Sequence, residues 1–354
     1  MASGVLVASA EQQADACGLF FVPKAKGLAS LRVEQVLIIH DAAKEQEHFI
    51  RQISFREGDE HFGFVVPVPS KPTVAKVTGE PFKKLDDDFP MSGWNPNKPK
   101  APVNNGPGIG LGGGFGSGAQ VNVLSTEKIG SFTAFTLEAT DGAAMKKWLS
   151  DNGLGSTAVS EAWLSHYTDL KFFFVALRFD PPAPAKAGAP AASPTVKPPA
   201  QANEPRPIRT ESIRISFSTP LPFYPYLEPE HPDKGVVSQP RVLAVWLVSQ
   251  TASQPVAAIK EGDEVHWKKP WREGQTNAPI AEGVLKATLG TELSALLPTA
   301  KEYVVQRFED QKSVRTGWGD VVLLPSKPSK LDAAALEKRL KLMNVLDPAL
   351  GGAK

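Results

Sequence analysis

His61-Phe-Gly-Phe-Val-Val-Pro-Val-Pro-Ser-Lys-Pro-Thr73 decides the fold class of this chain. Its alternation places Phe62, Phe64, Val66 and Val68 on one face of an extended strand and Gly63, Val65, Pro67 and Pro69 on the other. The first face is the core face. Pro67 and Pro69 share parity, so both missing N–H donors fall along one side, which predicts a sheet margin or a bulge there.

Upstream lie Leu19-Phe-Phe-Val22, Val36-Leu-Ile-Ile39 and His48-Phe-Ile-Arg-Gln-Ile-Ser-Phe55, the last two separated by the polar run from His40 to Glu45. Strand, polar turn and strand make a hairpin. Glu57-Gly-Asp-Glu60 then turns into the opening stretch, so the first sheet is expected to be an antiparallel meander. Downstream, from Glu80 to Gln120, order is expected to fall away, with a flexible Gly/Pro-rich insertion at 86–119 that includes Gly106-Pro-Gly-Ile-Gly-Leu-Gly-Gly-Gly-Phe-Gly-Ser-Gly118.

From Thr126 to Asp180 the patterning returns. Ser131 to Leu137 reads as a strand. Thr140 or Asp141 can cap a helix with Ala144, Met145, Trp148 and Leu149 on one side, stopped at Gly153. Ser156 or Thr157 can open a second helix with Val159, Ala162, Trp163 and His166 on its stripe, and Lys171 to Phe179 is a continuous apolar strand, predicted to be central. Two helices on one face of a mainly antiparallel β-sheet make an α+β body over 17–180. A Pro/Ala-rich linker at 181–207 has the composition of a semi-stiff polyproline tether, although the strands flanking it can still pair across it. A second, β-rich region follows at 208–328, with a buried strand at Val242 to Val248 and a short helix from Thr291 to Leu297. Glu302 to Phe308 and Asp320 to Leu324 read as a hairpin. A C-terminal helix at 329–346 carries Leu336, Leu340 and Met343 on its stripe.

Length and charge narrow the function classes. A chain of 354 residues exceeds what one core usually fills, and 32 prolines with 29 glycines favour turns and interrupted strands over long helices. The net charge of +1 gives no field to steer nucleic acid, and none is expected as a partner. No apolar run reaches the ~18 residues of a membrane span, so no transmembrane segment is expected. Residues 1–16 read as the remnant of an export signal or as a disordered N-terminus. Ala14-Asp15-Ala16 before Cys17 fits a small-x-small cleavage site and favours export, while lipidation at Cys17 is disfavoured by the residues preceding it. Cys17 is the only cysteine, which excludes an intrachain disulfide.

Gly108-x-Gly110-x-x-Gly113 matches a dinucleotide fingerprint, but proline-rich coil precedes it and a strand pattern follows, so no cofactor is expected. Histidines at 40, 48, 61, 166, 231 and 266 show no metal-ligand spacing. His40-Asp41 is the best catalytic fragment and Asp86-Asp-Asp88 the best cation fragment. The bland readings, a solvated turn and a solvated acidic run, are preferred, which leaves neither a catalytic nor a metal residue assigned. Trp267 and Trp271 with Tyr224 and Tyr226 can form an aromatic patch that stacks on sugar rings or a proline-rich peptide; filling of sheet edges is the competing reading.

Cys17-Gly18, Phe64-Val-Val-Pro-Val-Pro-Ser-Lys-Pro72, the glycine-rich insertion, Ile129-Gly-Ser-Phe-Thr-Ala-Phe-Thr-Leu-Glu-Ala-Thr-Asp141, Trp148-Leu-Ser-Asp-Asn-Gly153, Phe172 to Phe179 and Ile213-Arg-Ile-Ser-Phe217 together resemble the bacterial family catalogued as domain of unknown function 2330. The resemblance covers roughly residues 17 to 225. It implies an exported bacterial protein, periplasmic, envelope-associated or secreted, with no assigned activity and no functional residues to carry over. The combined expectation is a structural or interaction protein whose β-rich surface meets a protein or another envelope component. An envelope hydrolase assembled from distant residues is the alternative.

Overall fold

A computed structural model describes residues 19–21, 30–56, 62–90, 120–154, 158–180, 207–228, 241–261, 264–312, 315 and 318–326. In chain order the elements are β1 (Leu19–Phe21), β2 (Ser30–Asp41), β3 (Gln46–Arg56), β4 (Gly63–Val68), β5 (Thr73–Val77), α1 (Pro81–Asp88), β6 (Val121–Ile129), β7 (Phe132–Ala139), α2 (Gly142–Asp151), α3 (Ala158–Asp169) and β8 (Phe173–Phe179). There follow β9 (Pro207–Arg209), β10 (Ser212–Ser218), β11 (Phe223–Tyr224), β12 (Val242–Ser249), β13 (Ser253–Glu261), β14 (Glu264–Lys268), β15 (Arg272–Ala281), α4 (Glu282–Ser294), β16 (Glu302–Asp310) and β17 (Trp318–Pro325). The proposed C-terminal helix at 329–346, the signal-like start and the glycine tract lie outside the described residues.

The strands form three sheets. Five run in the order β1-β4-β8-β7-β6, and four in the order β11-β17-β13-β14. The largest sheet runs β15-β16-β12-β2-β3-β10-β5, with β9 also on β3. All pairings are antiparallel except that of β12 with β2. The protein is therefore α+β and mainly antiparallel. Strands from both sides of 181–207 interleave in the largest sheet, where β10 sits between β3 and β5 and β12 beside β2.

Alternation along β2 organises the layers. Val36 and Ile38 enter one core cluster, and Leu37 and Ile39 the other. The second cluster lies under α1 and α4, through Phe82, Leu85, Leu285, Leu289 and Leu293. Both faces of the largest sheet are thus buried, which removes far more apolar surface from water than a one-sided sheet would.

In β4 both faces are covered too. Phe64 faces the largest sheet, with the Arg51 guanidinium 4.6 Å from its ring centre. Gly63, on the other face, sits under Leu154 just beyond α2; a Cβ there would lie 2.1 Å from Leu154 Cδ2 and 2.8 Å from the Leu177 carbonyl oxygen. Only glycine permits that approach. The proline argument holds in a local form: Phe179 N donates to Phe62 O at 2.7 Å, so Phe62, Phe64 and Val66 bond toward β8, whereas Gly63, Val65 and Pro67 face β1. Among the described residues the β1 register ends at Val65, short of Pro67, but β4 lies between β1 and β8 without a bulge, so it is not the margin or bulge that the prolines predict.

Several elements depart from the sequence reading. β3 and β4 belong to different sheets, so the first sheet is not a meander. Residues 86–88 are helical rather than part of a flexible insertion. Pro81 occupies the first turn, where its missing N–H costs nothing, and Phe82 and Leu85 are buried one turn apart. The helix read at 291–297 starts at Glu282 and is interrupted at Gly290, with φ 74°. β16 and β17 are in separate sheets and not a hairpin. The first helix forms as read, with Asp141 accepting from Ala144 N at 2.7 Å. In α3 the buried stripe is Ser160, Trp163, Leu164, Tyr167 and Thr168, rotated from the apolar pattern because Ser160 and Thr168 turn inward and their polarity masks the face.

Candidate interaction surface

β11 is only two residues long and flanked by Pro222 and Pro225, neither of which can donate to the ladder, although the Pro222 carbonyl oxygen still accepts from Leu323 N at 3.0 Å. The chain leaves it through the junction between the largest and the four-stranded sheets, and there Tyr224, Tyr226 and Trp271 meet. Trp271 contacts Tyr224 edge-on at 5.2 Å and Tyr226 at 5.8 Å between ring centres. Both phenols are capped by carboxylates: Tyr224 donates to Glu34 Oε1 at 3.0 Å and Tyr226 to Asp310 Oδ2 at 2.7 Å. These three aromatics are core and present no face to solvent. Trp267 is different, at 41% exposure against 5% for Trp271. Its cross-strand neighbour on β13 is Ala258, whose side chain is too small to cover an indole.

Buried charge ties this junction together. Arg315 places Nε 2.6 Å from Asp310 Oδ2 and Nη1 3.5 Å from Glu228 Oε1, and Arg241 grips the same Glu228. Burial works against ionisation of Asp310, but Arg315, Lys312 and the Tyr226 hydroxyl outweigh it and hold the carboxyl below its usual range. Asp320 accepts from Tyr167 Oη at 2.8 Å, Tyr226 N at 2.8 Å and Leu227 N at 3.0 Å; burial dominates there and raises its pKa. Glu47 accepts from Phe223 N at 2.7 Å and is pushed well above the carboxylate range by burial. Arg51 lies 2.8 Å from Glu34. Such pairs add little net stability, but losing one partner strands the other in a dry interior. They tie the 224–228 segment, Arg241 before β12 and Arg315 after β16 to one another.

Among the described strands β14 is the outermost of its sheet. Glu261 and Glu264 close the β13–β14 hairpin with two residues between them. A closing pair of that kind exchanges hydrogen bonds across the strands, so Glu264, His266 and Lys268 bond to β13. Val265 and Trp267 therefore aim their backbone N–H and C=O groups away from β13, to a side where no described strand pairs. Lys268, Lys269 and Arg272 are exposed beside them. Pro270 and Trp271 then turn inward, and Lys312 Nζ donates to the Pro270 carbonyl oxygen.

The profile of a family described as an uncharacterized protein conserved in bacteria (DUF2330) matches residues 11–193. The chain belongs to this family. The match ends before the aromatic junction, so DUF2330 membership covers β1 to β8 and says nothing about β14. No curated protein gives a significant match. The crystal structure of baculovirus P35 is similar at 7% identity and a TM-score of 0.35, covering 84% of this chain and 97% of that one, a likeness too low to carry any argument.

Elsewhere in this DUF2330 chain the charged fragments have structural partners. His40 points into the sheet interior, with Nε2 3.0 Å from the Thr219 carbonyl oxygen. Asp41 faces the other way and accepts from Ala43 N at 3.0 Å and Lys44 N at 3.2 Å, so the two do not form a dyad. Asp86 pairs with Arg307 at 2.6 Å, Asp87 with Lys83 at 2.5 Å, and Asp88 accepts from the Thr288 hydroxyl at 2.6 Å; the three carboxylates diverge. Among the described residues no three His, Cys, Asp or Glu side chains converge as metal ligands, and no helix is long and apolar enough to cross a membrane. An open depression of about 550 Å³ lies between α1 and α4, lined by Phe89, Val284 and Ala287 among others. Sequence reasoning missed one pair: His48 Nδ1 lies 2.8 Å from Ser216 Oγ across β3 and β10. Their separation of 168 positions hides that contact from any motif. Burial and the neighbouring Arg214 lower the His48 pKa to about 4.

Proposed function

We propose that this DUF2330 protein is exported to the bacterial envelope or beyond and acts without catalysis, by presenting its β-sheet surface to another macromolecule. The observation that carries this reading is Trp267, exposed on a strand edge that no other described strand pairs, next to the buried aromatic and ionic junction around Trp271. A large rigid indole at a preorganised site is the usual anchor of an interface. Export is supported by Ala14-Asp15-Ala16 before Cys17 and by what the family resemblance implies. The test is mild crosslinking of the tagged full chain in native envelope. A stable companion is expected, and repeated recovery of the bare monomer overturns the reading. N-terminal sequencing is expected to find a processed chain; an intact Met1 in cytosol would remove the export half.

One distance favours a second reading. At neutral pH His48 is unprotonated and within reach of the Ser216 hydroxyl, the first requirement of a serine hydrolase. A fluorophosphonate probe separates the two readings: labelling abolished by Ser216→Ala supports hydrolysis, and unlabelled wild-type protein removes it.

A further inference from the structure

We infer that the helix-covered face of the largest sheet carries a binding site for a small carboxylic acid, with Arg214 as its cation and the Ser216 and Thr73 hydroxyls as its neutral donors. The register brings these side chains together. Arg214 and Ser216 are two positions apart on β10, so they share a face at a spacing of about 6.6 Å along the strand. His48 of β3 lies opposite Ser216 on one side, and Thr73 of β5 on the other. Ile39 of β2 continues the same row and belongs to the core under α1 and α4. The row therefore runs from covered sheet to solvent: Ile39 is buried, His48 and Ser216 are half-buried, and Thr73 is exposed. Arg214 is flanked by Ile50 and by Ala75, whose methyl is too short to cover a guanidinium.

Arg214 has no counter-ion. It is half-buried, its charge is felt by His48 and Glu292, and no described residue gives it a hydrogen bond or an ion pair. Glu292 is committed elsewhere, accepting from Thr78 N at 3.0 Å and Thr78 Oγ1 at 2.6 Å. A guanidinium holds its N–H donors in a planar fork that matches a carboxylate, and drawing it partly out of water without a partner has a cost that a bound anion offsets. The neighbours complete the donor set. Among the described residues Ser216 Oγ bonds only His48 Nδ1, at 2.8 Å; with the ring proton on Nδ1, the serine hydrogen is left for a ligand. The Thr73 hydroxyl bonds no described residue.

The surrounding charges limit the ligand to one negative charge. Toward the end of β5 stands Glu292; toward the β2–β3 turn stand Asp41, paired with Lys44, and Glu45. Lys71, exposed before β5, is a further cation, whereas Lys76 lies on the other face with Glu211. His48 is neutral near pH 7 and adds no charge. One carboxylate balances Arg214, while a phosphate, at about −1.5 to −2 near pH 7, would set surplus negative charge beside these acids. Glu292 ties the end of α4 to Thr78, so the donors lie between that helix end and the turn, a niche for a small ligand.

The probe is propionate, titrated at pH 7 into the full chain labelled with carbon-13 at its histidine rings, with propionamide, inorganic phosphate and a glutamate-bearing peptide alongside. The His48 resonance is assigned by its loss in His48→Gln. Propionate is expected to move it saturably, phosphate more weakly and propionamide not at all. Arg214→Lys keeps the charge but loses the fork, and should weaken propionate about tenfold. Arg214→Gln should abolish binding. Thr73→Val and Ser216→Ala each remove one neutral hydrogen bond and should weaken it about threefold to tenfold. Should Arg214→Gln fail to fold, the propionate–propionamide pair on the parent and the exposed Thr73→Val decide the matter.

Propionate and propionamide behaving alike would overturn the proposal. So would propionate binding indifferent to Arg214→Lys and Thr73→Val. Phosphate bound more tightly than propionate would reassign the site to phosphate, and a peptide bound far more tightly would reassign it to a partner protein; either result overturns it. The site shares Ser216 and His48 with the hydrolase reading but does not rest on it, since no bond has to be made. Ser216 left unlabelled by fluorophosphonate removes hydrolysis and leaves the acid site standing, and failure of propionate to bind does the reverse.

Discussion

Trp267 and Trp271 stand four residues apart, and their fates differ completely. Trp271 is walled in by Tyr224, Tyr226 and Phe308 at the junction of two sheets, while Trp267 lies on an outer strand opposite Ala258. The change happens at Pro270, where the chain leaves the four-stranded sheet and enters the largest one as β15. Side-chain type does not decide which tryptophan is structural; the sheet that each joins does.

The sharpest way to break this contrast is to unlock the buried side. Arg315→Ala takes from Asp310 its nearest cation in a dry interior, while Glu228 keeps Arg241, and chemical denaturation is expected to show a loss of about 3 to 5 kcal/mol. Somewhat less, about 3 kcal/mol, is expected for Trp271→Ala, which empties the space between the two tyrosines.

Glu47→Gln sharpens the comparison through pH. The amide keeps an acceptor for Phe223 N and needs no proton to stay neutral. Because burial raises the Glu47 pKa in the fold, the native state holds its proton above pH 4.5 while the unfolded chain releases it. Wild-type stability should therefore fall relative to the variant as pH rises past that value, by at most about 1.4 kcal/mol per pH unit, until the folded carboxyl ionises. Melting curves that stay parallel from pH 4 to 8 would show that Glu47 is not held neutral. The smallest effect belongs to Trp267→Ala, expected to leave stability within about 0.5 kcal/mol because the ring has little to lose inside the fold. A larger loss would mean that Trp267 belongs to the core.

Local pattern was legible wherever one physical rule governed it. Asp141 as a helix cap, the β2–β3 hairpin, the central position of β8 and the buried β12 all follow from short-range periodicity. The Pro67 argument held only for the strand side, since β4 lies between β1 and β8 and only its described pairing with β1 stops short of the proline. The misreadings share another cause. β16 and β17 look like a hairpin in sequence but join different sheets, and Arg315 between them is buried against Asp310 and Glu228, a long-range pairing that local pattern does not show. α1 hid behind an acidic run, because Asp86 is compensated by Arg307, 221 positions away.

Of the surface proposed here, the sequence determined the ingredients: four aromatics, and prolines that flank β11. Which aromatic faces water, which edge stays open, and that His48 meets Ser216 were decided only when distant strands came into register. Alternation is a property of neighbours along the chain, whereas exposure depends on what the rest of the protein lays against each face.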